Sequence, residues 1–545
     1  MGGNKLANEE LTAAGLVPAV RDKSACEGRV ARLWWLPSLT ALSFLLSIVL
    51  LYWQVGGPSG LLADPSTGVH IRTGQWILAH HVIPRHDLFS FTLTGKPWCD
   101  WEWLSDVIFA AAYRLHGLSG VAALSLAVLC LTSVVIYRTA RRHAGPIVAC
   151  AVCGLAMATT TIHWLARPHL FTWPLLAVLC WFLEKVSVEG RRRWLCALPC
   201  LMVLWVNLHP GFVAGFLVLG AWLAGNCLSL RFGSRREDHT NYRLEANWCC
   251  FVLAACAVAT LVNPHFVHLP RHIASYLMAP STVTAHVSEW LSPDFHNARL
   301  AWFEILLPLA GAAGVWHGLK RRLYWCVVIF GFMYLALLSV RNVPLFAIVC
   351  AVPLAAGAED ALAEFDYGRM LQEVGRALEG MKRGWGTVAV WGLGLALIGA
   401  VSAAPVRLGK AIPIEAIRRL PSDRIFTTDR WADYLISAEP GRKVFFDGRN
   451  DFYGPAFVES YLRVMKAEPG WDAILDKYRV SVAMVPMDSS ISAALRHDTS
   501  WRDVYRDSEA SVFEKRDQSR LLSFAREGCA GAALKRAPTA GVIRQ

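Results

Sequence analysis

The chain has 545 residues, 54% hydrophobic and only 18% charged, with a mean hydropathy of +0.36. Soluble globular chains carry about 45–50% apolar and about 25% charged residues, so a soluble enzyme, a disordered scaffold and a disulfide-stapled secreted module are excluded. The 54 basic and 42 acidic residues leave a charge of +12; with no basic domain, this reads as a marker of the cytoplasmic membrane side and not of a nucleic-acid partner.

Residues 1–34 form a polar tail with Lys5, Arg21, Lys23, Arg29 and Arg32. The apolar run after it is long enough to span, so it is expected to stay as a first helix and not to be cleaved as a signal peptide. A bilayer core of ~30 Å needs about 20 apolar residues per helix. About eleven such runs follow, near 35–53, 118–137, 144–162, 169–184, 194–208, 211–230, 246–262, 303–318, 324–340, 343–357 and 386–404.

Basic residues collect after every second span. They are Arg138, Arg141 and Arg142; Lys185 and Arg191 to Arg193; Arg231, Arg235, Arg236 and Arg243; Lys320 to Arg322; and Arg369, Arg376, Lys382 and Arg383. The short loops between hold little beyond Arg167 and Arg341. Lys and Arg stay in the cytoplasm, which predicts the N-terminus inside and the C-terminus outside. The expected organisation is a tail over 1–34, a transmembrane domain over 35–404 with outer loops 54–117 and 263–302, an outer α/β domain over 405–515, and a flexible tail over 516–545.

Most of the 15 cysteines lie inside apolar runs, among them Cys130, Cys150, Cys153, Cys180, Cys256 and Cys350. There they act as small hydrophobes. Cys150 and Cys153 have CxxC spacing but no second pair and no His cluster, so neither zinc nor a redox centre is expected. Nothing argues for pairing Cys99 with Cys529.

The first outer loop is rich in Asp, His, Trp and Arg. A structureless loop of this length is uncommon unless it is functional. Near its end Leu104, Val107, Ile108, Ala111, Ala112 and Leu115 share one helical face, which predicts an amphipathic helix in the interface. Arg167-Pro168-His169, Asn207-Leu208-His209, Asn263-Pro264-His265, Glu289-Trp290 and Arg341-Asn342 fall on the same side. Each alone is an ordinary helix end; together they predict a shared polar cavity. The spans carry almost no charge at mid-depth, and no internal repeat is visible. Both facts argue against an ion-coupled transporter. The chain also lacks a Gly-rich phosphate loop ending in Gly-Lys-Ser/Thr and a His-Glu-x-x-His motif, which argues against an ATPase and a zinc protease.

Beyond 405, the runs at 424–428 (RIFTT), 443–447 (KVFFD) and 481–486 (SVAMVP) read as buried strands. Segments 431–438, 455–466 and 471–478 read as helices, giving a small α/β layer domain. Residues 447–451 (DGRND) read equally as a loop facing a ligand or the membrane domain and as a tight turn.

The stretches ADPSTGVHIRTGQWIL, IPRHDLFSFT and KPWCDWEWLSDVIF resemble the start of bacterial integral-membrane glycosyltransferases of the GT-C superfamily. Those grouped with the family 39 (dolichyl-phosphate-mannose) and aminoarabinose-type transferases are the nearest in kind. LARPHLFTW, WVNLHPGF, VSEWLSPDF, LSVRNVPLFAI and FFDGRNDFYG look like later landmarks of the group, so the resemblance covers roughly 35–515. It implies a polytopic α-helical membrane fold and a polyprenyl-phosphate-linked sugar donor. It also implies a cell-envelope glycan, lipid or protein acceptor, and action at the outer face of the bacterial cytoplasmic membrane. Asp64 matches the acidic residue of the first outer loop. A second acid two positions on is replaced by Ser66, which puts a metal-bridged site in doubt, and Glu102 is the candidate second carboxylate. No residue is read as a metal ligand, and a divalent cation is left open as a cofactor.

Asp64 is the expected general base, with Glu102 orienting it or the acceptor. Arg341 is expected on the lipid phosphate, aided by Arg167 or His169. His70, Glu289 and Asn342 complete the expected substrate-binding set. The rival reading is a non-catalytic polysaccharide assembly factor or a flippase-like transporter.

Overall fold

The computed structural model describes residues 36–232, 236–278, 288–380, 384–421 and 424–516. The N-terminal tail, the C-terminal tail beyond residue 516 and Cys529 lie outside them. The eleven apolar runs all fall on helices. They are α1 Leu39–Leu50, α3 Trp103–Ala140, α4 Pro146–Thr160, α5 His169–Glu189, α6 Leu198–Leu208 and α7 Phe212–Phe232. Then come α8 Arg236–Ala259, α10 Ala301–Leu319, α11 Leu323–Leu338, α12 Val343–Leu362 and α14 Trp385–Ser402. Among the described residues eight helices are long and apolar enough to cross a membrane. The protein is a multi-pass, mostly helical membrane protein.

Lipid explains the surface. The apolar window of α14 is only 11% buried, and Trp385, Val388 and Leu395 are exposed. A helix that is apolar all round is stable in that state only where hydrocarbon surrounds it. Inside the bundle, side-chain hydroxyls tie backbones together. Ser133 Oγ donates to the Ser43 carbonyl at 2.6 Å and Ser47 Oγ to that of Leu129 at 3.2 Å, joining α1 to α3.

The first long loop is structured. It holds α2 Ser66–His80, which sequence patterning missed. Residues 103–115 form the first part of α3, which breaks at His116 and at Gly117 with φ +61°. Of the predicted apolar face, Ala111 and Leu115 are exposed and Leu104, Val107, Ile108 and Ala112 are half-buried, while the buried face is mixed, with Ser105, Asp106, Phe109 and Ala110. At Gly74 of α2 a Cβ would run into the Asp106 carbonyl. The missing side chain lets α2 and α3 cross at backbone contact, which sets His70 beside Asp106.

Two further helices, α9 His268–Leu277 and α13 Asp366–Gly380, lie outside the apolar runs, and the C-terminal region is an α/β layer. Its sheet runs β1 Ile425–Thr427, β2 Val482–Pro486, β4 Ala510–Lys515, β3 Trp501–Arg506 in space. β1 and β2 are parallel with Ile425 opposite Val482; the other pairs are antiparallel. Helices α15 Asp429–Ala438, α16 Pro455–Met465, α17 Trp471–Lys477 and α18 Ser490–His497 surround it.

The 443–447 run is no strand of this sheet. Val444 instead exchanges backbone bonds with the first loop, its N–H to the Phe89 carbonyl at 2.8 Å and its carbonyl from the Phe91 N–H at 3.1 Å. Burial of the run was readable; its ladder partner, more than 350 residues earlier, was not. Val69, Phe89 and Trp98 of the first loop therefore belong to the apolar core of the C-terminal domain. Arg449 closes the joint. It bonds Asp447 at 2.7 Å and Asp87 at 2.8 Å, under the rings of Phe89, Trp98 and Phe452. Both carboxylates are fully buried. Asp447 and Arg449 of the DGRND segment thus form a buried ionic lock to the first outer loop, while Asp451 meets His272 at 3.2 Å.

Candidate active site

Asp64 lies in the turn before α2. Its Oδ1 accepts the Ser66 backbone N–H at 3.0 Å and its Oδ2 meets Arg167 Nη1 at 3.2 Å. The same Nη1 reaches Glu289 Oε1 at 2.9 Å. One guanidinium therefore bridges carboxylates from the first and second long loops. Glu289 Oε2 faces His163 Nε2 at 3.9 Å. Burial pushes the Glu289 carboxyl up, but Arg167, His163 and Arg341 outweigh it and hold it at about 2. Arg167 is likewise opposed by burial yet held above its ordinary value by Glu289 and Asp64.

Glu102, just ahead of α3, anchors a second group. Its Oε2 lies 3.9 Å from His70 Nε2 and its Oε1 3.4 Å from His209 Nε2. His70 Nδ1 shares a 2.8 Å hydrogen bond with Asp106. Burial pushes the Glu102 carboxyl up to about 7; His70, Arg167 and Arg341 oppose the rise and Asp106 adds to it. The His70 imidazole is pushed down, mainly by burial. The two groups adjoin, since Arg167 and Asp64 act on His70 and Arg167 on Glu102.

Arg341 differs from Arg167. It stacks 5.2 Å over Trp290 and makes no ion pair among the described residues. Trp290 is edge-on to Tyr276, and Tyr276 to Trp101, beside Glu102. His169 is buried with Nε2 on the His163 carbonyl at 3.0 Å. Asn342 precedes α12 and donates to the Leu335 carbonyl at 3.0 Å. The C-terminal domain closes over this end: Arg430 donates to the Ala63 carbonyl at 3.2 Å, and Arg72 grips the Ser437 carbonyl.

Asp64, Arg167, Glu289, Glu102, His70 and Arg341 thus come together; His169 stands behind them and Asn342 serves a helix end. Asp106 and His163 were missed as site residues, and His209 was expected only as part of the shared polar cavity, with no role of its own. Asp106 was readable, four residues after Glu102 and so on the same helical face. His163 precedes the Arg167 turn and carried no local signal. A cation at Asp64 would have to displace Arg167. Among the described residues no group of three or more His, Cys, Asp or Glu side chains is spaced to hold a metal ion. The donor set does not fit a metal-bridged site, and the reaction below runs through none.

No family model and no curated protein matches the chain. Solved structures do. The Archaeoglobus fulgidus oligosaccharyltransferase in its apo form aligns at TM-score 0.53 and 12% identity, over 83% of this chain and 69% of that one. The same enzyme tethered to an acceptor peptide containing the NVT sequon aligns at TM-score 0.53 and 10% identity, over 88% and 74%. The chain has the GT-C fold. ArnT from Cupriavidus metallidurans in the apo state also aligns, at 15% identity over 90% of this chain and 98% of that one, with a TM-score of 0.45. Within this GT-C fold, both acidic groups sit where the helical bundle meets the C-terminal domain.

Proposed function

We propose that the protein is a membrane glycosyltransferase. It moves a sugar from a polyprenyl-phosphate-linked donor to a cell-envelope acceptor at the outer face of the bacterial cytoplasmic membrane, with its N-terminus inside. The observation that carries this reading is the buried acid cluster around Glu102, set beside Arg341, which has no ion-pair partner among the described residues, in a GT-C fold.

Sugar transfer needs a base for the acceptor hydroxyl and positive charge for the departing phosphate. Both oxygens of Asp64 are already engaged, by Ser66 and Arg167. Glu102 has only long contacts and a carboxyl at about 7, the range in which a general base works best. The base role therefore passes from Asp64 to Glu102. The acceptor oxygen attacks the anomeric carbon while its proton goes to Glu102. The bond from that carbon to the phosphate oxygen breaks, and the polyprenyl phosphate leaves with the electron pair. Arg341 binds the phosphate as a planar fork, and Asp64 holds Arg167 alongside. A single displacement inverts the anomeric centre.

The test is mass spectrometry of lipid-linked sugars and envelope glycans in cells with and without the protein. Loss should accumulate one polyprenyl-phosphate sugar and remove one glycan modification. Identical profiles would overturn the reading.

A further inference from the structure

The mechanism above leaves His209 without a part, although its Nε2 lies 3.4 Å from Glu102 Oε1. What that contact does depends on which ring nitrogen carries the proton. Two groups reach Nδ1: the Gly211 backbone N–H at 2.9 Å and the Thr172 hydroxyl at 2.9 Å. A peptide N–H can only donate. Thr172 Oγ1 receives the Trp205 indole N–H at 3.0 Å, so its own hydrogen is free to point at Nδ1. Nδ1 is therefore an acceptor, and the single proton of the neutral ring sits on Nε2, the nitrogen that lies 3.4 Å from Glu102 Oε1.

The lock is built into two helices and the turn that follows the second. Thr172 on α5, Trp205 on α6 and His209 at the end of α6 are all buried. The His209 backbone is extended, at φ −163° and ψ 142°, which turns the ring off the helix and over the following residues. Gly211 must lack a side chain: a Cβ there would strike the Thr172 hydroxyl and lie 2.6 Å from Nδ1.

We propose that His209 is a positioning residue for the transfer reaction: held as the Nε2–H tautomer, it donates to Oε1 of Glu102 and leaves Oε2 to take the acceptor's proton. This rests on Glu102 being the base. The proton of His209 stays on Nε2 throughout, and only Oε2 gains one. Glu102 is also faced by His70 from α2, Asp106 from α3, and Arg167 and Arg341 from the loops. None of these reaches Oε1 within hydrogen-bond distance.

The test uses the full chain in lipid nanodiscs. Ring-15N histidine spectra of wild type and His209→Gln, subtracted at pH 7.5, should show a neutral Nε2–H ring; an Nδ1–H or doubly protonated ring would overturn the proposal. Kinetics supply the second arm. His209→Phe removes the donor, so kcat should fall about tenfold or more with both KM values kept. The alkaline-rising limb of the pH profile should move up by about one unit, because a carboxylate that loses a donor is harder to ionise. His209→Gln, which returns an amide N–H to the same place, should bring the limb back. Gly211→Ala should behave as His209→Phe with the imidazole still present. If the wild type transfers sugar and His209→Phe keeps its limb, the positioning role fails alone. If the wild type transfers none, the transferase reading fails and takes this one with it.

Discussion

Two carboxylates of one loop end in different chemistry because of what touches them. Asp64 is held by a guanidinium, whereas Glu102 is buried among imidazoles and sits at about 7. A base must be ionised to act, so turnover should rise as pH increases through about 7. Glu102→Gln should lower kcat by about 10²–10⁴-fold; a flat profile between pH 5.5 and 8.5 would remove Glu102 from the role. Arg341→Ala should raise the KM for the lipid donor about tenfold or more, the loss of one charge-assisted contact, and an unchanged donor KM would sink the phosphate assignment. Glu289 gives a stability prediction of the opposite kind. Its folded pKa of about 2 lies below the ordinary 4.5. Its ion pairing therefore stabilises the fold fully above about pH 4.5 and is lost as pH falls toward 2. Thermal melting of Glu289→Gln should show a weaker loss of stability between pH 6 and 3 than wild type.

At the scale of elements, the spans were readable because lipid demands long apolar runs, and every such run is a helix. The strands at 424–428 and 481–486 were readable for a related reason: each is a short buried run bounded by turns. β3 and β4 were not, since β3 is mostly exposed and mixes Arg, Asp and Tyr along its length. Helix α2 escaped because four of its seven buried residues, Thr67, Gly68, Thr73 and Gly74, are Thr or Gly, which dilutes its apolar signal. Asp64 and Glu102 could be picked out by residue type and position. The tautomer of His209 could not, since it is set by the backbone at Gly211. The joint between loop and C-terminal domain was equally hidden, and it is the joint that mutation should expose. Arg449→Leu leaves Asp87 and Asp447 buried without their partner, a cost of about 3–5 kcal/mol. A lower melting temperature and faster cleavage within 80–100 are expected; unchanged melting would show that the lock contributes little.

For the whole molecule, the charge of +12 is a matter of placement. In a chain whose other exposed cysteines are replaced, Cys196 should react with a membrane-impermeant maleimide only in inverted vesicles. A cysteine at Asp472 should react only in intact spheroplasts. Labelling of both positions from one side would refute the proposed topology.

The lock between Asp87 and Arg449 also has a history. Its partners are 362 residues apart in the chain. At about 5–20 residues per second, Asp87 is synthesised roughly 20–70 s before Arg449. Through that interval Asp87 has no Arg449 to pair with, so the joint between the first loop and the C-terminal domain cannot form before Arg449 is made. Nascent-chain arrest at successive lengths should show protection of the first loop arising only after the DGRND segment has crossed the membrane.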